Sequence, residues 1–336
     1  MTHVYSDLRD IAPALAFSAH ALDIDPETVA DDIAAVLREQ VLKHLRKRGV
    51  VVGLSGGVDS SVVAALAVRA LGPEHVFGLV TPEQDSEPDS LRLGRGVAEA
   101  FGIESALEDI TPILAAAGCY RRRDEFIREV FPEYTPEFRC KLVLPDVLAG
   151  RGYNVHQLVI ESPDGTQHRA RPPLHVALGI VAATNMKQRT RKQIEYYHAD
   201  RLNYAVAGTP NRLEYDQGFF VKNGDGAADV KPIAHLYKTQ VYRLAEFLGV
   251  PAEVRRRPPT TDTYSLAQTQ EEFFFSVPLA KLDLCLYALD HSVPASETAP
   301  ATELSEDQVE RVYDDIRRKR ASARYQHTPP LLVETV

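Results

Sequence analysis

The residues best suited to chemistry lie in one turn, Ser55-Gly56-Gly57-Val58-Asp59-Ser60-Ser61, entered through Gly53 and Leu54. Two adjacent glycines let a backbone approach a ligand closely, and successive N–H groups at a helix start point at an anion. Hydroxyls and one carboxylate, Asp59, stand among them. Such a turn suits a polyphosphate. The lysine of the G-x-x-x-x-G-K-[ST] loop does not follow, so this is a different kind of phosphate cradle. A Gly-Ser turn can also be a plain connection, and the flanks argue against that. Val50, Val51 and Val52 read as a buried strand, and Val62 to Leu71 as a helix that stops at Gly72.

The elements that position this turn extend on both sides. Asp25-Pro26-Glu27-Thr28 starts a helix, with Val29, Ile33, Leu37, Val41 and Leu45 at helical spacing, basic residues Arg46 to Arg48 at its end and Gly49 as its stop. Val76 to Val80 is a strand, Asp89 to Phe101 a helix ended by Gly102, and Ile103 to Leu107 a third strand. Strands alternating with helices predict an α/β fold, a doubly wound parallel sheet flanked by helices, with its ligand at the carboxyl ends of the strands. Residues 118–173 break the rhythm as an insertion. Arg121, Arg122 and Arg123 are expected beside an acidic helix, and Tyr153 to Arg171 reads as a hairpin around Ser162-Pro163-Asp164-Gly165. A long helix from Pro173 to about Asn203, a strand Tyr204 to Ala207, a helix Leu236 to Leu248 and helices near 278–289 and 305–323 follow. Ser305 and Gln308 fit a capping box. This gives one main unit over 1–290 and a C-terminal helix and tail over 291–336 that pack on it.

The bulk properties narrow the class. The chain has 336 residues and a formal net charge of −9, which argues against an enzyme held to nucleic acid by a general basic surface. No apolar run approaches the roughly 18 residues of a membrane span. Asp7, Arg9 and Asp10 do not suit a signal peptide, so a cytoplasmic location is expected. Cys119, Cys140 and Cys285 are scattered, with no C-x-x-C spacing, and read as reduced bystanders.

The strand–SGGVDSS–helix unit resembles the PP-loop ATP pyrophosphatases, which cleave ATP between its α and β phosphates and form an adenylate. More clusters follow it: Asn185 to Arg191, Gly208-Thr209-Pro210-Asn211-Arg212-Leu213-Glu214, Gly218 to Asp229, Tyr237-Lys238-Thr239-Gln240 and Pro259-Thr260-Thr261-Asp262. In this order they resemble the ammonia-dependent NAD synthetases, continuously over about 50–72 and 180–265. The resemblance implies an adenine nucleotide alpha hydrolase-like fold. It implies amidation of deamido-NAD, with ATP as co-substrate, magnesium, and free or separately supplied ammonia.

It also implies residue roles. Gly53, Leu54, Ser55, Gly56, Gly57, Val58, Asp59, Ser60, Thr209, Lys238 and Thr260 match ATP contacts, with Asp59 and Lys238 catalytic. Asp59 and Glu214 match magnesium ligands. Asn185, Arg189, Lys222, Asp225 and Asp229 match the deamido-NAD site, and a homodimer with that pocket partly at its interface is implied. Read from the residues alone, alternatives stay open. Glu214 and Lys238 could be surface charges, Arg189 and Arg191 exposed arginines, Asn185 a buried amide, and Phe219-Phe220 either a ring wall or plain core.

Three features depart from the family. Gln270 precedes Glu271 where an aspartate is usual, Tyr325-Gln326 stands where a His-Lys pair is usual before Pro329-Pro330, and the 118–173 segment is long. If deamido-NAD is the acceptor, a replacement cation from Arg121, Arg122, Arg123, Arg169 or Arg171 is expected in the pocket; these arginines could equally form a solvated surface. The departures also motivate an amide ligase for another carboxylate, possibly carrier-bound. A tRNA-modifying PP-loop enzyme or sulfurtransferase is disfavoured by charge and by the lack of paired cysteines. A non-catalytic ATP-binding module is disfavoured by both carboxylates being kept. No cysteine sits in a nucleophile motif, and the chain is too short for an added amidase domain, so no glutaminase is expected.

Overall fold

The computed structural model describes residues 17–144, 147–148, 156–261 and 263–334. Asp7, Arg9, Asp10, Tyr153 and Asp262, named above, lie outside them. Three β-branched valines give β1 (Val50–Gly53), with α1 (Pro26–Glu39) before it and α2 (Val58–Leu71) after it. Then come β2 (Val76–Val80), α3 (Pro88–Phe101), β3 (Glu104–Leu107), α4 (Thr111–Ala116) and α5 (Cys119–Arg128). Next are β4 (Arg139–Val143), β5 (Gln157–Glu161), β6 (Gln167–Ala170), α6 (Leu174–Leu202), β7 (Ala205–Ala207) and α7 (Arg212–Gln217). The chain closes with α8 (Lys238–Phe247), α9 (Ala252–Arg256), α10 (Leu279–Asp290), α11 (Ala295–Thr302) and α12 (Glu306–His327).

The main sheet is parallel, in the order β3-β2-β1-β7. Alternation along β1 splits its valines between two layers. Val50 and Val52 join α1, α2, α3 and α8 in one core, while Val51 packs with Phe77, Leu79, Val206 and Ala199 of α6 on the other face. Both faces are covered, as all-parallel sheets require. The chain leaves β1 toward β2 on one side and returns as β7 on the other, which opens a crevice above their carboxyl ends. A second core joins Leu213 and Tyr237 to α10, α11 and α12. No helix among the described residues is long and apolar enough to cross a membrane.

The expected hairpin is β5–β6, and β4 extends it to an antiparallel sheet of three strands. The sequence of β4, Arg139-Cys140-Lys141-Leu142-Val143, is too short to carry a clear alternation. Its apolar face packs on Val176 and Ile180 of α6. The arginines at 121–123 are on α5 itself, not beside a separate acidic helix. The first helix also differs. It widens at Gln40–His44, where Leu45 N bonds Gln40 O at 2.9 Å, and Arg46 at φ 54° ends it. Gly49 serves a close approach instead, since a Cβ there would lie 2.2 Å from His75 O and 2.7 Å from the Tyr204 ring. Helix α8 starts later than expected because Leu236 belongs to the preceding turn, its N–H bonding Ile233 O at 3.0 Å.

Candidate active site

Hydroxyls knit the glycine turn. Ser60 and Ser61 Oγ donate to Gly57 O at 3.1 and 2.8 Å, and Gly57 N donates to Ser55 Oγ at 3.3 Å. Gly56 has φ 74°, and a Cβ there would meet Ser90 O at 2.8 Å. Asp59 falls in the first turn of α2 and so faces the crevice.

Three helix starts, those of α2, α7 and α8, meet at Asp59. Lys238, the first residue of α8, pairs its ammonium with Asp59 Oδ2. Asn211 Nδ2 donates to Asp59 Oδ1 at 3.1 Å. Asn211 also caps α7, with Glu214 N donating to its Oδ1 at 3.2 Å and Glu214 Oε2 accepting from Asn211 N at 3.1 Å. Gln270 Nε2 donates to Glu214 Oε1 at 2.9 Å. The start of α8 is held in turn by Asp283, which accepts from Lys238 N at 3.2 Å and Thr239 N at 2.7 Å.

Glu214 is not a surface acid, and Lys238, only 2% exposed, is not a surface lysine. Burial and the neighbouring Asp59 charge push the Glu214 carboxyl up to about 8, against the opposing pull of Lys238 and the amides. Burial works against the Lys238 charge, but Asp59 and Glu214 outweigh it and raise its pKa. Burial also pushes the Asp283 carboxyl up to about 6. With both carboxylates ionised the cluster carries one uncompensated negative charge. Two all-oxygen donors short of one positive charge fit a hard divalent cation such as magnesium, which takes its other ligands from phosphate and water. No group of three or more His, Cys, Asp or Glu side chains placed for a metal occurs among the described residues.

A cavity of about 460 Å³ spreads from this cluster, large enough for a nucleotide. Of the expected ATP contacts, Gly53, Leu54, Ser55, Gly57, Val58, Asp59 and Ser60 line it. Thr209, Lys238, Thr260 and Glu214 line it too, while Gly56 lies behind the turn. Of the expected acceptor residues, Asn185 and Asp225 line it. Asp225 accepts from Val221 N at 2.7 Å, and burial raises its carboxyl. Arg189, Lys222 and Asp229 do not line it. Arg189 is exposed, with Nε donating to Lys222 O at 3.2 Å. Lys222 Nζ donates to Tyr325 O at 2.9 Å and Thr328 O at 2.8 Å, tying the C-terminal segment down. Asp229 Oδ2 accepts from Val206 N at 2.8 Å.

The arginines expected from the 118–173 segment do not reach the cavity. Arg123 is consumed by Asp85 and Asp124, and Arg121 by Glu125 at 2.7 Å. Arg122, Arg169 and Arg171 are exposed. The cavity's guanidinium groups come from Arg191 and Arg257 instead. Arg191 stands two residues after Arg189, about 200° around a helix, so the two face opposite sides. Helical phase alone could have chosen Arg191. It donates to Thr81 O at 3.2 Å. Arg257 binds Glu87 Oε2 at 2.5 Å and Ser90 Oγ at 2.9 Å, and its only sequence signal was its place just before Pro258-Pro259-Thr260.

A buried ion cluster backs the cavity wall. Lys187 donates to Glu83 Oε1 at 2.9 Å, Asp85 Oδ2 at 2.6 Å and Thr263 O at 2.8 Å. Tyr120 of α5 donates to Glu83 Oε2 at 2.8 Å. The loop after β2, the loop near 263 and α5 are thus joined through α6. Phe219 and Phe220 both line the cavity. Phe219 stacks on Phe274 at 4.8 Å, and Phe220 meets the His327 ring at 5.1 Å. Gln326 lines the cavity, whereas Tyr325 is exposed.

A parallel α/β sheet with a phosphate-type glycine turn at its switch point is the PP-loop fold. The solved structure of an NMN synthetase from Francisella tularensis shares it, with a TM-score of 0.64 and 21% identity over 93% of this chain and 100% of that one. So does an NH3-dependent NAD synthetase from Campylobacter jejuni, with a TM-score of 0.59 and 22% identity over the same shares. The chain belongs to the NAD synthase family, whose model matches residues 29–129 and 152–326. It is 63% identical over 321 residues to the NH(3)-dependent NAD(+) synthetase of Rhizobium rhizogenes, covering 96% of this chain and 97% of that one. With its namesake in Thermotoga maritima it shares 36% identity over 271 residues, or 80% of this chain and 90% of that one. The break in the family match, between 129 and 152, falls inside the 118–173 segment and contains β4.

Proposed function

We propose that this protein is an ammonia-dependent ligase that converts deamido-NAD, ATP and ammonia to NAD, AMP and diphosphate. The observation that carries the reading is the Asp59–Asn211–Glu214–Lys238 cluster beside the SGGVDS turn, in a chain 63% identical to proteins named for this activity. A carboxylate oxygen of the acceptor attacks the α-phosphorus of ATP and diphosphate leaves. Ammonia nitrogen then attacks the acyl carbon and AMP leaves. Lys238, kept charged by its two carboxylates, offsets the charge of the departing diphosphate. The N–H groups of the turn orient the phosphates. Asp59 and Glu214 would hold magnesium, which when bound neutralises the phosphate oxygens. Another carboxylate acceptor is not favoured, because the relatives that match nearly the whole chain bear the NAD synthetase name.

The same reading includes Asn185 and Asp225 at the acceptor within the cavity, and Arg189, Lys222 and Asp229 outside it. Residues outside the cavity of one chain suit a pocket completed by a second copy. Leu174 at 75% and Leu178 at 58% exposure, one turn apart on α6, support a homodimer. A synthetase unit over 1–290 with 291–336 packed on it, a cytoplasmic location and ammonia taken free or from a separate donor complete the proposal. All three cysteines are buried, which supports the absence of a glutaminase nucleophile. ATP–diphosphate exchange tests the reading. Exchange should depend on added deamido-NAD, and exchange that ignores it would contradict the assignment of the acceptor.

A further inference from the structure

Helix α10 carries two carboxylates, Asp283 and Asp290, that do not line the cavity. Asp283 is fully buried, next to the buried apolar residues Leu282, Leu284, Cys285 and Leu286. A buried carboxylate is costly unless its oxygens are bonded. Those of Asp283 accept the first two N–H groups of α8, Lys238 N at 3.2 Å and Thr239 N at 2.7 Å. A helix start leaves such donors without partners, and Tyr237, the residue before them, is not a type that caps well. Asp290, the last residue of α10, accepts from Arg212 Nη2 at 2.7 Å and from Arg320 Nη2 at 2.6 Å. Arg212 is the first residue of α7, and Arg320 of α12 also donates to Asp216 of α7 at 2.7 Å.

Seven residues make about two turns of helix, so Asp283 and Asp290 project from one side of α10. That side anchors the start of α8, whose first residue is Lys238, and the start of α7, whose third residue is Glu214. Arg212 and Asp216, four apart, share one face of α7. Glu214 lies about 200° around from each, so it points away from Asp290 and into the cluster with Asp59 and Gln270. The two starts are also tied to each other. Arg212 N donates to Leu236 O at 2.8 Å, and Arg212 Cζ lies 5.1 Å from the centre of the Tyr237 ring. The beginning of α10 is fixed from the same side of the site, since Glu271, next to Gln270, accepts from Leu279 N at 2.9 Å. We propose that Asp283 and Asp290 are positioning residues: through one face of α10 they set the spacing of Lys238 and Glu214 around Asp59, and hence the affinity of that cluster for magnesium-bound nucleotide. The proposal rests on the roles given to that cluster above.

The test is calorimetric titration of the full chain with α,β-methylene-ATP, which cannot be cleaved between its α and β phosphates, over a range of magnesium concentrations. Asp290→Asn keeps the size of the side chain and removes the charge that holds Arg212. It should raise the magnesium concentration for half-maximal binding about tenfold. In a Glu214→Gln background the same change should add less than about twofold, because it acts through that carboxylate. Asp283→Asn, acting through Lys238, should weaken binding of the analogue about tenfold at saturating magnesium and leave the KM for deamido-NAD within about twofold of wild type. Asp290, with its side chain 17% exposed, tolerates substitution better than Asp283, so its variant decides the question if Asp283→Asn does not fold. A lower melting temperature with an unchanged magnesium midpoint in Asp290→Asn overturns the proposal, as does full additivity with Glu214→Gln. Wild type that binds the analogue equally well without magnesium overturns both the proposal and the roles of the cluster. Wild type that needs magnesium to bind it but makes no NAD overturns the ligase reading alone.

Discussion

Gln270 Nε2 donates to Glu214 Oε1 at 2.9 Å, so its buried amide is bonded to the candidate metal carboxylate. This donor favours the ionised form of Glu214. Gln270→Leu should raise the Glu214 pKa further and move the acidic limb of the pH–rate profile up by as much as about one unit. At neutral pH activity should fall several-fold and recover toward pH 9. A limb that does not move would separate Gln270 from the function of Glu214.

The folded Glu214 carboxyl sits at about 8 against an ordinary 4.5, so the folded protein holds the extra proton between those values. By linkage, that contribution to stability is full below about 4.5 and is lost as pH rises toward 8. Asp283, raised to about 6, acts in the same direction over its own range. Magnesium-ATP should reverse the effect at Glu214 by favouring the carboxylate. Calorimetry at pH 7 in buffers of different ionisation enthalpy should show release of up to about one proton on binding. Glu214→Gln should abolish the release, and a wild type that releases none would contradict a protonated Glu214.

Lys187, 1% exposed, is the hub between Glu83, Asp85 and the Thr263 carbonyl. Lys187→Met keeps the bulk and leaves buried carboxylates without their ammonium. The expected loss is about 3–5 kcal/mol in denaturant unfolding. A loss under about 1 kcal/mol would show that Arg123 alone neutralises the cluster.

Gly56 combines a φ of 74° with a backbone oxygen 2.8 Å from where a Cβ would stand. Gly56→Ala should shift the turn away from Ser90, cost about 1–3 kcal/mol, and raise the KM for ATP more than that for the acceptor. A variant with wild-type ATP kinetics would show that the turn geometry is not what binds the phosphates.

Much of this architecture is legible in the sequence, for identifiable reasons. Val50 to Val52, the glycine turn and the helix to Gly72 agree at every level from propensity to capping. Asn211, by contrast, announces only a helix cap. That it also bonds Asp59 depends on β1 and β7 being neighbours, a contact between residues 152 positions apart. Arg123 illustrates the opposite error. A basic run suggests a free cation, yet Asp85 and Asp124, one distant and one adjacent, take up its charge. Spacing places a helix stop at Gly49 that Arg46 performs instead, because a close approach by His75 and Tyr204 has no local signal.

The most direct test of the central claim is product formation by the purified chain with deamido-NAD, magnesium-ATP and ammonium, with Asp59→Ala in parallel. Wild type should give NAD, AMP and diphosphate in equal amounts with ammonium and not with glutamine, and Asp59→Ala should lose at least about a hundredfold. Binding of magnesium-ATP without any NAD formed, or near wild-type NAD formation by Asp59→Ala, would contradict the claim.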